Sequence, residues 1–241
     1  MVEINIYIKY FKYVCEHKKN AFKECIEMSK QYKGKDKKDL IIHAFTHDLS
    51  KFNPKEFIPY ARQFYGNYPS DAVLFNVSCV QSKDKIKTKE DVKRDFGKAW
   101  EHHYSKNKHH PEHWIGRDMP NKYIRQMICD LKAMSRKLGG TAQEYYLKNY
   151  YKWDITRDTR YRLELYLDLI KNYNAPLCEC NEEYWMTIEE LIKNKEIYFI
   201  KNGEIAHRTV EHNINNLLKP ACDKYNLNIY KLVKGNQHKT I

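Results

Sequence analysis

Long apolar runs, regularly spaced cysteines and glycine-rich nucleotide motifs are all missing from this 241-residue sequence. No segment approaches the roughly 18 consecutive apolar residues of a membrane-spanning helix, so we expect no membrane association. The N-terminal segment lacks the apolar core and cleavage site of a signal peptide, which favours a cytoplasmic location. Seven irregularly spaced cysteines argue against a disulfide framework and for reduced thiols. Without a Walker motif or a nucleophile elbow, no familiar catalytic motif competes with the features described next.

The composition is that of a globular protein with an excess of positive charge. A length of 241 residues allows one substantial core and a small appendage, and an aromatic content of 14% is ample for packing. The net charge of +12 favours anionic partners, of which a small phosphorylated substrate is the first candidate. Nucleic acid is a weaker candidate, because the basic residues are spread along the chain rather than gathered in one arm. The oligomeric state is left open.

Apolar periodicity predicts a mainly α-helical fold. The predicted helices cover residues 3–32, 37–49, 54–65, 89–105, 120–138 and 158–172, with a short helix around 71–77. The character changes after Pro176, where Asn202 and Gly203 separate two strand-like runs and predict a β-hairpin. We therefore expect a helical domain over residues 1–175 and a small α+β appendage over 176–241, which adds a helix at about 209–225 and a short strand.

The adjacent residues His47 and Asp48, in the run IIHAFTHDLSKF, are the most informative feature of the sequence. Together they offer an imidazole nitrogen and a carboxylate oxygen, a mixed donor set that suits Zn, Fe, Mn or Co. The helical pattern predicts that both lie in the last turn of the second helix. His17 lies 30 residues earlier on the inward stripe of the first helix, and Asp130 lies on a largely apolar face of the 120–138 helix.

Each of these residues alone has an ordinary explanation. A lone histidine is usually a hydrogen-bonded core or surface residue, and an aspartate at a helix end is usually solvated. A carboxylate on an apolar helix face is harder to explain, because a buried ionised group needs a cation or several donors. Inward-facing His17 and Asp130, together with the His47–Asp48 pair, therefore predict a single metal site.

These residues carry a family resemblance. The order His17, then AFTHDLSKF, then Asp130 in a helix resembles the HD-domain superfamily of metal-dependent phosphohydrolases, whose signature is H…HD…D on a helical bundle. The segment AWEHHYSKNKHHPEHWIG looks like the additional histidines of binuclear HD proteins. It lacks the Gly-Tyr-Pro triplet of one HD subgroup, so that subgroup's cyclic-dinucleotide specificity is not carried over. The pattern from HDLSKF to KYIRQMICD is also similar to an uncharacterised family of bacteria and bacteriophages, over roughly residues 10–150.

The HD resemblance implies one divalent ion held by His17, His47, Asp48 and Asp130. A second ion could use His103 with His109 or His110, while Asp48 bridges the two ions. We interpret His43, four residues before His47, as a packing residue or a hydrogen-bonding partner. The ions would be Mn, Fe, Co, Zn or Mg, and the sequence does not say which. The residues expected to act in catalysis are Asp48 and Lys51, the latter as a phosphate-binding group one turn beyond the pair.

The function expected from this resemblance is hydrolysis of a phosphoester, with a nucleotide as the leading substrate. Two alternatives remain open at this point. HD-type scaffolds with extra histidines also house di-iron oxygenases, which cleave C–C or C–P bonds with O₂ and use the same kinds of ligand. A non-catalytic bacterial or phage interaction protein that uses the basic surface is the second alternative.

Overall fold

The computed structural model describes residues 2–68, 87–169, 196–201, 204–209 and 223–224. Within these ranges most residues are α-helical, which confirms the predicted fold class. None of the helices described is long and apolar enough to cross a membrane. The chain divides into two compact units, Met1–His113 and Trp114–Ile241. The predicted domain boundary at residues 175–176 lies outside the described residues and stays a prediction.

Four helices form the first unit. They are α1 (Val2–Ser29), α2 (Gly34–Thr46), α3 (Pro54–Tyr65) and α4 (Lys89–Lys106). A 3₁₀ turn, Leu49–Phe52, connects α2 to α3, and a second, Pro111–Trp114, follows α4. Helix α1 packs against α2 and α3, and α3 packs against α4. Asn53 caps α3 through its side chain, and Thr88 forms a capping box at the start of α4, so both helices begin at residues that satisfy their first N–H groups.

The buried stripe of α1 differs in part from the predicted one. Val14 and His17 are buried as expected, and Tyr10 joins them with no exposed surface. The helical periodicity that places His17 inward also places Ile8 and Phe11 on the same stripe, but they are 49% and 50% exposed. Near this end of α1 the inward position is taken by Tyr10, whose ring contacts Phe57 and Tyr60 of α3.

An aromatic core joins α1, α3 and α4 beside the histidines. It is formed by Tyr10, Val14, Tyr60, Ala61 and Ala99, with Phe57, Phe96 and Trp100 packed against them. The ring of Tyr60 meets that of Phe96 edge-on, with centroids 4.9 Å apart, and lies 6.1 Å from the ring of His103. Rings of this size bury a large apolar area, so they hold the three helices at a fixed separation.

The second unit contains three described helices. They are α5 (Asn121–Leu138), α6 (Ala142–Asn149) and α7 (Arg157–Tyr166). Helix α5 ends at Gly139, whose φ of +79° lies in the region that favours glycine. Helix α6 begins directly after Thr141, whose side-chain oxygen accepts a hydrogen bond from the backbone N–H of Glu144 and caps the helix. Helix α5 packs against both α6 and α7, so it forms the centre of this unit.

A β-hairpin lies further along the chain. Its strands are β1 (Glu196–Lys201) and β2 (Glu204–Thr209), which pair antiparallel with Ile200 opposite Ile205. These are the two strand-like runs that the sequence places on either side of Asn202 and Gly203. The connecting residues, the expected strand NIYKLV and most of the predicted 209–225 helix lie outside the described residues, as does the short helix expected around 71–77.

Candidate metal centre

A sharp turn at the end of α2 carries the His47–Asp48 pair. Helix α2 ends at Thr46, so the two residues lie beyond the helix and not in its last turn as the sequence predicted. Asp48 has a φ of 52° and adopts the left-handed conformation, which aspartate tolerates better than most residues. The side chain of Lys18 on α1 donates to the carbonyl oxygens of Phe45 and His47, at 2.7 and 3.0 Å. It therefore caps the end of α2, where unpaired carbonyls favour a cation.

One oxygen of Asp48 faces a pair of histidines from α1 and α2. The Nε2 atoms of His17 and His47 lie 3.0 Å apart. They lie 3.6 and 3.4 Å, respectively, from Asp48 Oδ2. All three side chains are at least 98% buried. This half of the centre therefore presents two imidazole nitrogens and one carboxylate oxygen to a common point.

The other oxygen of Asp48 faces histidines from α4 and the segment that follows it. The Nε2 atoms of His103 and His109 lie 3.5 and 3.3 Å from Asp48 Oδ1. The Nε2 atom of His110 lies 2.9 Å from that of His103. His103 and His109 are buried, and His110 is half-buried. The carboxylate of Asp48 thus has histidine nitrogens near each of its two oxygens.

The spacing of these donor atoms fits metal coordination. Two donors that bind one ion at roughly 2.0–2.2 Å are about 3.3–3.6 Å apart at a tetrahedral angle and about 2.8–3.1 Å apart at a right angle. The six distances given above, from 2.9 to 3.6 Å, all fall in these two ranges. Neither oxygen of Asp48 accepts a hydrogen bond of acceptable geometry from the described residues. Buried His and Asp groups of this protein could therefore hold a metal ion.

The electrostatic surroundings keep Asp48 ionised. Burial by itself would raise the pKa of its carboxyl, but the nearby His47, Lys51 and His103 outweigh burial and hold that pKa well below its usual range. The ammonium of Lys51 is the closest of these groups, with Nζ 2.6 Å from Asp48 Oδ2. The side chain of Lys51 is 13% exposed, so it connects the buried carboxylate to the protein surface.

A buried carboxylate that the sequence analysis did not single out lies behind His103. Glu56 on α3 has no exposed surface and lies 2.8 Å from His103 Nδ1 and 2.7 Å from His102 Nδ1. Ser50 Oγ donates to the same carboxylate at 3.0 Å. Burial would raise the pKa of Glu56, but the hydrogen bonds from His103 and His102 lower it overall. A signal was present in the sequence, because Glu56 lies four residues before the aromatic core residue Tyr60 and so shares its inward face.

His43 lies behind His47 in a similar position. Its Nε2 atom is 3.2 Å from His47 Nδ1, and its side chain is buried. The two nitrogens of the His47 ring therefore have different neighbours, since Nε2 faces Asp48 and Nδ1 faces His43. This geometry agrees with the interpretation of His43 as a hydrogen-bonding partner of the pair. His43, His47 and His109 also form a set whose ligand atoms lie within 4.8 Å of one another.

Comparison with known proteins supplies a family but no activity. A model described as a family of unknown function (DUF5662) matches residues 7–169, more than half of the chain. The chain belongs to this family. The matched range contains all the residues of the centre described above. No curated protein and no solved structure matches the chain.

Within this family member, the first unit brings together most of the residues predicted to bind metal. They are His17, His47, Asp48, His103, His109 and His110. The sequence left His109 and His110 as alternatives, and the structure places His109 beside Asp48 and His110 beside His103. Asp130 is half-buried on α5 in the second unit, and its role as a ligand stays a prediction. Lys51, predicted to bind phosphate, is paired with Asp48. His113 Nδ1 lies 3.1 Å from the carbonyl oxygen of Tyr104.

Proposed function

We propose that this protein is a metal-dependent phosphohydrolase that cleaves a phosphoester, with a phosphorylated nucleotide as the substrate class. One observation carries the proposal. Each oxygen of the buried Asp48 faces histidine nitrogens, at distances that suit coordination bonds on both sides. A carboxylate in this position is suited to bridge two divalent ions, the arrangement that the HD resemblance implies.

The donor set restricts the identity of the ions. Five imidazoles and one carboxylate surround the centre, so nitrogen donors outnumber oxygen donors. Imidazole suits Zn, Fe, Ni and Cu, whereas Mg, Ca and Mn prefer carboxylate, carbonyl and water oxygens. We therefore propose Zn, Fe or Co as the resident metal and place Mn and Mg last among the ions that the sequence allows.

The side chains around the centre suit an anionic substrate. When bound, divalent ions supply Lewis acidity and lower the pKa of a coordinated water. Lys51 is the cation nearest the centre, and its flexible side chain could exchange the carboxylate of Asp48 for a phosphate oxygen. The net charge of +12 would raise the local concentration of phosphorylated molecules. Asp48 would hold the ions, and Lys51 would bind the substrate.

The test is metal analysis joined to a substrate screen. The full chain is purified without chelator, its metal content is measured, and portions are reconstituted with Mn²⁺, Fe²⁺, Co²⁺ or Zn²⁺. Each portion is then assayed for phosphate release from nucleoside mono-, di- and triphosphates. The expected result is one or two bound ions per chain and phosphate release that stops when a chelator is added.

Other outcomes of the same experiment would refute the proposal. Two irons per chain, with O₂ consumption and no phosphate release, would identify an oxygenase instead. A protein that binds none of the four metals would point to the non-catalytic interaction protein. Phosphate release that survives complete metal removal would show that hydrolysis does not depend on the centre.

A further inference from the structure

Glu56 accepts hydrogen bonds at both of its oxygens. His103 Nδ1 and Ser50 Oγ contact Oε2, at 2.8 and 3.0 Å, and His102 Nδ1 contacts Oε1 at 2.7 Å. An ionised carboxylate can only accept, so each of these three atoms must carry the hydrogen of its bond. Full satisfaction of a carboxylate with no exposed surface explains how Glu56 can be buried in an apolar helix interface.

The contact between Glu56 and His103 Nδ1 determines which nitrogen of the His103 ring carries the hydrogen. If Nδ1 carries its hydrogen toward Glu56, a neutral ring has its lone pair on Nε2. Nε2 is the atom that lies 3.5 Å from Asp48 Oδ1 and 2.9 Å from His110 Nε2. A lone pair there can receive a hydrogen bond from His110 in the metal-free protein and can bind an ion when one is present.

Neighbouring groups fix the plane of the same ring. Trp100 stacks on His103 with ring centroids 5.7 Å apart and planes 28° apart. The amide nitrogen of Asn107 lies 2.7 Å from Ser50 Oγ, 2.8 Å from the His103 carbonyl oxygen and 3.1 Å from His103 Nδ1. Its two hydrogens serve the two shorter contacts, so His103 Nδ1 is left to donate to Glu56. Ser50 is therefore held in the orientation in which its hydroxyl points to Glu56. The ring has little freedom to rotate once these contacts have formed.

We propose that Glu56 is a positioning residue that holds His103 in the Nδ1–H tautomer, so that its Nε2 lone pair faces Asp48 Oδ1. The inference deepens the metal centre proposed above and rests on it for its functional consequence. Carboxylates commonly hold metal-binding histidines in this way, and their removal typically weakens metal affinity by roughly 10–100-fold. We expect this loss of affinity only on the side of the centre at Asp48 Oδ1. On the other side, the ring nitrogen of His47 that faces away from Asp48 contacts His43, which is not a carboxylate.

The tautomer can be measured directly in the metal-free protein. Histidine side chains are labelled with ¹⁵N, and long-range ¹H–¹⁵N spectra are recorded at pH 8, with His103 assigned from a His103→Gln sample. The wild-type protein is expected to show the Nδ1–H tautomer at His103. Glu56→Gln presents one oxygen and one amide NH₂ to two histidines, so we expect the His103 signal to shift at least partly to the Nε2–H form.

Two further variants separate the tautomer from general disruption of the helix interface. Glu56→Asp keeps an acceptor-only group and is expected to retain the Nδ1–H signal. His102→Ala removes the other histidine that contacts Glu56 but keeps the contact between His103 Nδ1 and Oε2, so it should retain the Nδ1–H signal. A wild-type His103 protonated at Nε2, or at both nitrogens, would overturn the proposal, as would an unchanged tautomer in Glu56→Gln.

A titration with Co²⁺ measures the consequence for metal binding. We expect Glu56→Gln to weaken binding of one of two Co²⁺ equivalents by roughly 10–100-fold and to leave the other near its wild-type affinity. Equal affinities in wild type and variant, or an equal loss at both equivalents, would contradict an effect confined to one half. If the wild-type protein binds none of Mn²⁺, Fe²⁺, Co²⁺ and Zn²⁺, the proposed function fails, and the tautomer measurement still decides the role of Glu56.

Discussion

Replacing Asp48 with asparagine is the sharpest test of the bridging role. Asp48 adopts a left-handed backbone conformation with φ of 52°, which asparagine also tolerates. An alanine there would add a strain of roughly 1–2 kcal/mol, so lost activity in Asp48→Ala would have two causes. Asn retains the shape of the side chain and one acceptor oxygen, but it lacks the charge and the second oxygen that would bind on the other side.

The expected effects of Asp48→Asn on activity and on folding differ in size. Loss of both ions removes a contribution of several kcal/mol to catalysis, and about 4 kcal/mol corresponds to roughly a 1000-fold fall in phosphate release. The metal-free fold should lose less than the roughly 3–5 kcal/mol of breaking a fully buried ion pair. The reason is that the partner, Lys51, is 13% exposed and can turn to solvent.

The assay compares three proteins for bound Co²⁺, phosphate release and urea unfolding. The control is Asp168→Asn, since Asp168 is the other non-glycine residue with positive φ in the described chain and its side chain is 52% exposed. The control should match wild type in all three measurements. The reasoning is wrong if Asp48→Asn still binds two ions with wild-type affinity, or if it hydrolyses substrate at a rate close to that of wild type.

Three other changes have expected outcomes. Tyr146→Phe removes a 2.6 Å hydrogen bond to the fully buried Glu164, so urea unfolding should show a loss of about 1.5–3 kcal/mol. Lys51→Met removes a cation beside Asp48, so Co²⁺ should bind as tightly or more tightly while the substrate KM rises. The pKa of Glu56 is lowered in the folded protein, so its ionised carboxylate stabilises the fold at pH values above its unfolded-state pKa of roughly 4.3. This stabilisation is lost as the pH falls through the folded-state pKa. Metal-free wild type should therefore lose stability below about pH 4 more steeply than Glu56→Gln, by urea unfolding at each pH.

The sequence predicted the ligands better than the geometry that joins them. Helical periodicity placed His17 on a buried face of α1, and the pair at residues 47 and 48 was found by its residue types alone. The left-handed turn at Asp48 was not predicted, because no glycine or proline interrupts the helical pattern before Pro54. The turn is stabilised by residues far away in sequence, such as Lys18, and local helix propensity does not predict such contacts.

The residues behind the ligands were harder to find for the same reason. Glu56 contacts His103 across 47 positions of sequence, and Asn107 contacts Ser50 across 57. Periodicity shows which face of a helix is buried, but it does not show which residue of another helix will lie opposite. The helix dipole also favours an acidic residue in the first turn of a helix, so the presence of Glu56 there does not by itself predict that it is buried.

The two buried carboxylates at the centre, Asp48 and Glu56, are stabilised in different ways. Apolar side chains of similar size would pack between α1, α2 and α4 without any polar group to satisfy, whereas a buried polar group left without a good partner costs about 1–3 kcal/mol. Asp48 avoids this cost through charge, because Lys51 lies 2.6 Å from one of its oxygens and the neighbouring cations hold the pKa of its carboxyl well below the usual range. Glu56 is instead satisfied by hydrogen bonds from three donors. Hydrogen bonds therefore hold Glu56 in the fold, whereas both oxygens of Asp48 remain directed at histidine nitrogens that could share a ligand with it.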